Sequence, residues 1–472
     1  MARQISALKA LDLVLNPKSI AVIGASRDEK SVGYGILKSI SQGCWFPSNY
    51  CKPFLGKVFP VNPNASEILG LKCYPSVKDI PVSEKSKVDL AVVAVPAKIV
   101  SKVIQECGEA GIRAAVVVSA GFGEVGEAGR KLEEELAGVS RKAGMRIVGP
   151  NCLGVVRSSH NLNASFALSV PPAGGVGFVS QSGALADSAI DWAIQERYAF
   201  SVLASVGNSV DLDSADFVEW LGQDNETKVI TLYVEGLRDG RKFMEVVRRV
   251  SRKKPVLVLK AGKTNAGAAA AGSHTGSLAG DYRVFKGAMR QCGAVMVESF
   301  EELFDLAKTL SEQPKAAGNA VAIVTNSGGP GVLSADYCDE FGVRLAPLKP
   351  ETIERLDATG LMHPAYSRRN PLDLVGDALP ERYEAAINTL LSEDYIHGLI
   401  VIQCITTMTD SLADAKIVLQ ARKKFPGKPI VTVFMGGKYS AEGVKLLLKH
   451  GVPEFNDPRK AAQAMAALCG VL

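Results

Sequence analysis

The chain has 472 residues, 47% hydrophobic and 22% charged, with a net charge of +5 at neutral pH. That length predicts roughly three domains with ample cores, and the composition excludes a disordered or fibrous chain. So mild a charge, without a strip of interleaved aromatic and basic residues, gives no ground for nucleic-acid binding.

No apolar run reaches the ~18 residues of a membrane span. The N-terminus carries no long apolar stretch followed by a small-residue cleavage site, so no signal peptide is expected. Nine scattered cysteines without a CxxC pair and five histidines without zinc spacing argue against a disulfide scaffold and a structural zinc site. Most of the cysteines read as small buried hydrophobes in a reducing cytoplasm.

Short apolar runs alternate with helical patterns, which predicts parallel sheets with crossover helices, an α/β fold. Strands are expected at residues 19–25 (SIAVIGA), 58–61, 90–95, 114–119 and 146–149, with helices at 97–110 and 127–143. These form a first domain, 1–150. A second, 151–312, has strands at 175–180, 201–206, 229–234 and 255–260 and a helix at 183–196. A polar Gly/Pro-bearing linker is expected at 311–320, and a third domain at 320–472. Domains two and three look duplicated. VGFVSQSGALADSAIDW, from Val176, aligns without gaps on VAIVTNSGGPGVLSADY, from Val321. KPVLVLKAGK, from Lys254, matches KPIVTVFMGGK, from Lys428, with one insertion.

Two turns follow apolar strands and open helices: Ser180-Gln181-Ser182-Gly183 and Thr325-Asn326-Ser327-Gly328. Each offers backbone N–H groups, a helix N-terminus and hydroxyl donors, a phosphate-binding design. An ordinary N-cap would have the same residues; two copies in duplicated domains favour phosphate. Residues 260–280 (KAGKTNAGAAAAGSHTGSLAG) hold 12 Gly or Ala among the 20 that follow Lys260, and are expected to form a mobile loop. At its centre His274 is a candidate phosphoryl carrier. Glu235, ending the strand VITLYV at the carboxyl edge of the sheet, is the candidate carboxylate that fixes its tautomer.

Other motifs carry less. GASRDEKSVGYG, from Gly24, puts a helix N-terminus after the first strand and suits a nucleotide-like ligand, but it is not GxGxxG. GFGEVG (residues 121–126) matches GxGxxG after the wrong strand and is expected to be a loop. Gly262-Lys263-Thr264 lacks the earlier glycine of a P-loop. Cys152 in GPNCLG (residues 149–154) is expected to be structural.

Taken in order, IAVIGAS, VFPVNPN, GPNCLGV, VSQSGALA, YVEG, GSHTGSLAG and TNSGGPGVL resemble the α subunit of the NDP-forming acyl-CoA synthetases, in particular the ADP-forming acetyl-CoA synthetases. The chain is more distantly similar to the succinyl-CoA synthetase α subunit. The resemblance implies a CoA-binding Rossmann-like domain followed by two flavodoxin-like domains. It implies the reaction acyl-CoA + ADP + phosphate ⇌ acid + ATP + CoA, through an acyl phosphate and a phosphohistidine. His274 stands at the phosphorylated histidine and Glu235 at its supporting glutamate. Ser180, Gln181, Ser182, Gly183, Thr325, Asn326, Ser327 and Gly328 match the phosphate turns. Gly24, Ala25, Ser26, Val32, Asn62, Pro63, Val95 and Pro96 match the CoA edge. Asn151 matches the loop near the thioester.

No ATP-grasp domain is found in the sequence. The resemblance therefore implies a separate ATP-grasp β subunit holding ADP/ATP and Mg²⁺, in an α2β2 heterotetramer, with acetyl-CoA and phosphate as this chain's substrates. No metal site is expected on the chain. Two alternatives stand beside this reading. A non-catalytic CoA- or acyl-CoA-binding regulator would not need His274, Glu235 and both turns. A protein acetyltransferase would need a further domain, for which the chain leaves no room.

Overall fold

The computed structural model describes residues 4–81, 87–275 and 280–472, and of residues 271–275 only the backbone. It divides into two compact units, Met1–Phe300 and Glu301–Leu472.

The first unit contains two main sheets. One has the strands Lys57–Val61, Ser19–Ile23, Leu90–Val93, Ala114–Val117 and Arg146–Val148 in that spatial order, all parallel. Numbered along the chain, the order is 2-1-3-4-5. Strands such as SIAVI and LAVV are buried at every residue, because crossover helices cover both faces. The other sheet runs Val295–Val297, Val256–Lys260, Val229–Val234, Ala173–Ser180, Phe200–Ser205. Its parallel part has the same 2-1-3-4-5 order, read from the other edge. Beyond Phe200–Ser205 the sheet is extended by an antiparallel hairpin, Gly154–Arg157 with Leu162–Ser165, which the sequence reading did not assign.

One buried cluster joins these two sheets, from Ile20 and Val92 through Val148 and Leu212 to Val202 and Ile230. The backbone is stitched across the seam: Leu212 N–H donates to the Ile147 carbonyl at 3.1 Å and Asn208 N–H to that of Pro150 at 2.9 Å. The Arg146 guanidinium meets Asp211 at 2.9 Å.

The second unit is built on Arg344–Leu345, Ala320–Thr325, Gly398–Cys404, Ile430–Met435 and Glu454–Phe455, again parallel and again 2-1-3-4-5, with Leu372–Asp373 also paired to Ala320–Thr325. The duplication read in the sequence therefore extends to topology. Residues 311–320, expected as a linker, are packed into this unit. Gln313 is buried and donates to the Gly451 carbonyl at 2.9 Å, and Ala316 N–H donates to the Leu468 carbonyl at 3.0 Å.

Two further expectations change. Residues 265–275 are a helix, Asn265–Thr275, not a loop. Alanine has the highest helix propensity, and Thr264 caps the start, its hydroxyl accepting from Gly267 N–H at 3.1 Å. Among the cysteines, Cys44 and Cys51 form a disulfide, seven residues apart.

The second unit also buries carboxyls. Asp414, buried against Gln403, is pushed up to about 7 by desolvation, and so is Glu454. Between the unfolded value near 4 and the folded value near 7 the native state binds the extra proton, so stability falls as pH rises through that window. Urea midpoints should drop from pH 5 to pH 8, and Asp414→Asn should remove a share of that drop on the order of 1–3 kcal/mol.

Candidate active site at the strand-order reversals

In a 2-1-3-4-5 sheet the chain leaves strand 1 for one side and returns at strand 3 on the other, which opens a crevice at their carboxyl ends. Each of the three sheets places a group of the sequence-selected residues there.

In the first sheet, Gly24 follows strand 1, and Val95 and Pro96 follow strand 3. Gly24 has φ of +90°, and a Cβ on Gly33 would lie 1.9 Å from the Gly24 carbonyl oxygen, so the helix Val32–Gln42 starts hard against the turn. Asn62, at the end of strand 2, donates from Nδ2 to the Ala25 carbonyl at 2.7 Å. Ser26 accepts from Asp28 N–H at 3.0 Å. Ser119, not singled out in the sequence, holds Val95 N–H at 3.1 Å. Val32 is exposed at the mouth, and Pro63 follows Asn62 at the same edge.

The second sheet brings together Ser180, Gln181, Ser182, Gly183 and Glu235. The buried Ser180 hydroxyl donates to the Ser182 carbonyl at 2.7 Å and accepts from Ser182 N–H at 3.1 Å. Ser182 caps Leu185 N–H. Gln181 reaches across the crevice: its Oε1 accepts from Glu235 N–H and, at 3.0 Å, from Gly236 N–H, and its Nε2 donates to the Gly236 carbonyl at 2.8 Å. The side chains of Ser180 and Gln181 therefore shape the turn. What the turn offers an anion is main chain, the first-turn N–H groups of Gly183 and Ala184, which have no partner inside the helix.

Glu235 is buried. The Tyr233 hydroxyl bonds its carboxylate; burial first, then the Glu235 charge and this bond, push Tyr233 up to about 12. The Lys260 ammonium, also buried, donates to the carbonyls of Glu235 at 2.8 Å and Ala261 at 2.5 Å. Burial lowers the Lys260 pKa, opposed by the charge of Glu235. His274 falls in the last turn of the helix Asn265–Thr275; its side chain lies outside the described residues.

A cavity of about 380 Å³ opens beside Gln181 and Gly236. Asn151, in the left-handed conformation at φ +55°, lines it and donates to Asn208 Oδ1 at 3.2 Å. Asn208 Nδ2 donates in turn to Glu124 at 2.8 Å and Glu133 at 2.9 Å. The loop GFGEVG aims its amides at these two carboxylates: Phe122 N–H donates to Glu124 at 3.1 Å and Gly123 N–H to Glu133 at 3.1 Å. The segment, expected as a loop, carries one 3-10 turn, Gly123–Val125. Burial pushes the Glu124 carboxyl up, but Asn208 and the loop amides outweigh this and hold it low. Arg238 closes the rim on Glu133 at 2.7 Å. Asn208, Glu133 and Lys260 escaped sequence reasoning. For Lys260 the signal lay in the duplicated strand, KPIVTVF, which ends in Phe434 where this one ends in lysine. Cys152 is buried and pushed up to about 12, an inert thiol.

The third sheet repeats the clamp. The Thr325 hydroxyl donates to the Ser327 carbonyl at 2.9 Å and accepts from Ser327 N–H at 3.0 Å. Asn326 crosses to strand 3, donating to the Cys404 carbonyl at 2.9 Å and accepting from Cys404 N–H at 2.8 Å. Gly328 opens the helix Gly328–Glu340 beside the Asp373 carboxylate, which a Cβ there would approach to 3.1 Å.

Known proteins are similar to this chain along its length. Three family models cover the chain: a CoA binding domain at residues 18–158, a succinyl-CoA ligase like flavodoxin domain at 173–310 and a Ligase-CoA domain at 321–469. The α subunit of an ADP-forming acetate–CoA ligase (II) of Pyrococcus furiosus is 42% identical over 97% of both chains. An ADP-forming acetate–CoA ligase (I) of Archaeoglobus fulgidus is 44% identical over 97% of this chain, which spans 63% of that longer protein. The acetyl-coenzyme A synthetase 1 of Ca. Korarchaeum cryptofilum, solved with phosphate and ADP, superposes with a TM-score of 0.91 at 38% identity, covering 98% of this chain and 97% of the other. The chain belongs to the NDP-forming acyl-CoA synthetases, as an α subunit of the ADP-forming acetyl-CoA synthetase type.

The clamp gives a first test of the site. Gln181→Ala leaves the N–H of the buried Glu235 and the N–H and carbonyl of the half-buried Gly236 without their partner. It should destabilise the first unit by about 2–4 kcal/mol in urea unfolding.

Proposed function

We propose that the chain is the α subunit of an ADP-forming acetyl-CoA synthetase, converting acetyl-CoA, ADP and phosphate to acetate, ATP and CoA. One observation carries the reading. Glu235 is anchored at the strand-order reversal opposite the helix N-terminus of Gly183, in a chain whose α-subunit relatives match it over 97% of their length.

CoA would lie along the carboxyl edge of the first sheet at Gly24, Ala25, Ser26, Val32, Asn62, Pro63, Val95 and Pro96. Its thioester would enter the cavity at Asn151. A phosphate oxygen attacks the thioester carbonyl carbon; the C–S bond breaks, and the thiolate leaves and is protonated. The main-chain N–H groups of Gly183 and Ala184 hold the phosphate and the charge that develops on it. An imidazole nitrogen of His274 then attacks phosphorus and the carboxylate leaves. Glu235 accepts a hydrogen bond from the other ring nitrogen, which fixes the tautomer and steadies the phosphohistidine. The turn Thr325, Asn326, Ser327 and Gly328 is a second anion site of the same build.

Transfer from the phosphohistidine to ADP needs a nucleotide and Mg²⁺ site. The relatives named as α subunits support a partner chain, and we assign ADP and Mg²⁺ to it, a separate ATP-grasp β subunit in an α2β2 assembly. Division into domains at 1–150, 151–312 and 320–472 fits these roles. Among the described residues no helix is long and apolar enough to cross a membrane; the nucleotide and CoA substrates favour the cytoplasm.

With acetyl-CoA and radiolabelled phosphate, the purified chain, alone or with its β subunit, should take up acid-labile, base-stable label. His274→Ala should abolish the label, and Glu235→Gln should slow its formation by about 100-fold. Tight CoA binding with no label from any acyl-CoA, β subunit present, would leave a binding protein instead.

A further inference from the structure

Lys260 has no place in the reading above, yet it is a buried cation within reach of the candidate site. It is 6% exposed and ends the strand Val256–Lys260, paired in register with Val234, the residue before Glu235. Its Nζ donates to the carbonyls of Glu235 and Ala261 and lies 5.7 Å from the Phe285 ring centroid. Those carbonyls close strands 3 and 4. The first belongs to the candidate carboxylate. The second opens the segment that leads into Asn265–Thr275, the helix of His274.

The duplicated sheet shows that the fold does not demand a cation here. Ser180 pairs with Tyr233 and Thr325 with Ile402, so Glu235 corresponds to Cys404. Val234 pairs with Lys260 and Gln403 with Phe434, so Lys260 corresponds to Phe434, which is 2% exposed. The gapless start of the KPVLVLK and KPIVTVF match gives the same pairing. In the copy that has a carboxylate after strand 3, the neighbouring strand ends in lysine. In the copy that has a thiol there, the same position is phenylalanine. A buried ammonium is costly, and an apolar side chain fills the equivalent place. The lysine thus goes with the carboxylate, not with the sheet.

We propose that Lys260 is a positioning residue for phosphoryl transfer: its ammonium ties the main chain of Glu235 to that of Ala261, where the segment leading into the helix of His274 begins, and sets a fixed positive charge beside Glu235. Gln181 holds Glu235 by its N–H, Lys260 by its carbonyl, and Tyr233 by its side chain. This deepens the proposed function and rests on the assignment of Glu235 to His274.

The test measures the initial rate of label transfer from radiolabelled phosphate to His274 against acetyl-CoA concentration, in the complex with the β subunit. The variants are Lys260→Met, Lys260→Arg, Glu235→Gln and the doubles. Lys260→Met should lower the maximal rate at least about tenfold with KM for acetyl-CoA kept within about threefold. Lys260→Arg, which keeps the charge and displaces the donors, should fall between it and the parent. Because Lys260 acts through Glu235, the double with Glu235→Gln should be no slower than Glu235→Gln alone, within about twofold. If Lys260→Met does not fold, the Lys260→Arg cycle gives the same coupling. A parent-like rate in the Lys260 variants, a KM that rises as the rate falls, or effects that multiply in the double overturns the proposal. With Glu235→Gln slow and His274→Ala unlabelled, that failure is of Lys260 alone. A parent-like rate in Glu235→Gln, or label surviving His274→Ala, removes the underlying reading instead.

Discussion

The hydrogen bonds of one amide side chain, thrown from the end of strand 1 to the end of strand 3, hold the chemistry of this chain in place. At a strand-order reversal the two carboxyl ends diverge, and nothing in the sheet ladder itself fixes the loops that leave them. Gln181 supplies the missing tie with three hydrogen bonds to Glu235 and Gly236, and Asn326 supplies it with two to Cys404. Asn326 is fully buried, and the residues that both amides bond close apolar strands. Away from bulk water such bonds are stronger, and an unmet partner costs more. The crevice is consequently a frame that holds a helix N-terminus in fixed relation to the end of strand 3, as the proposed anion site requires.

The two copies of this frame have diverged in what they present. In the first, Ser182 spends its hydroxyl on the helix cap, and the residue after strand 3 is a buried carboxylate backed by a lysine. In the second, Ser327 makes no cap bond and turns to the Cys404 thiol instead. The third helical residue there is Pro330, which has no N–H to give. The second turn therefore keeps an anion-binding build, with the N–H groups of Gly328 and Gly329 where the first has those of Gly183 and Ala184, but it has the Cys404 thiol in place of the buried carboxylate after strand 3. This asymmetry suits a division in which one copy houses the reacting histidine's support and the other only receives negative charge.

Much of this was legible in the sequence. Strands such as SIAVI and VITLYV are predominantly apolar runs, and the paired VSQSG and VTNSG turns announced both the duplication and the crevices. What was not legible has particular causes. The run AGAAAAG satisfies both a flexible-loop and a helix description, and the Thr264 cap that decides between them is a single hydroxyl. The hairpin Gly154–Arg157 with Leu162–Ser165 is too short to announce a strand pair by periodicity. Gln181 and Ser180 looked like ligand donors because a polar side chain in a turn gives no sign of whether it faces the ligand or the frame. Lys260 was hidden by the usual rule that a charged residue ending a strand marks its exit to solvent; the copy ending in Phe434 is what exposes the exception.

The use of side chains for the frame decides how the anion is held. With the hydroxyls of Ser180 and Thr325 closed on their own turns, the donors left for phosphate are main-chain N–H groups at the start of a helix. These dipoles are fixed by the fold and, in the proposed mechanism, would need no rearrangement as charge moves from phosphate to acyl phosphate to phosphohistidine. A lysine or arginine in their place would bind the ground-state phosphate tightly and, being mobile, would follow it. Fixed amides discriminate by position, and under the proposed mechanism, in which the site would hold three successive phosphoryl species without retaining any of them, position serves better than charge. On that view the buried charges of this site, Glu235 and Lys260, belong to the frame that aims the histidine. The anion itself is left to the backbone.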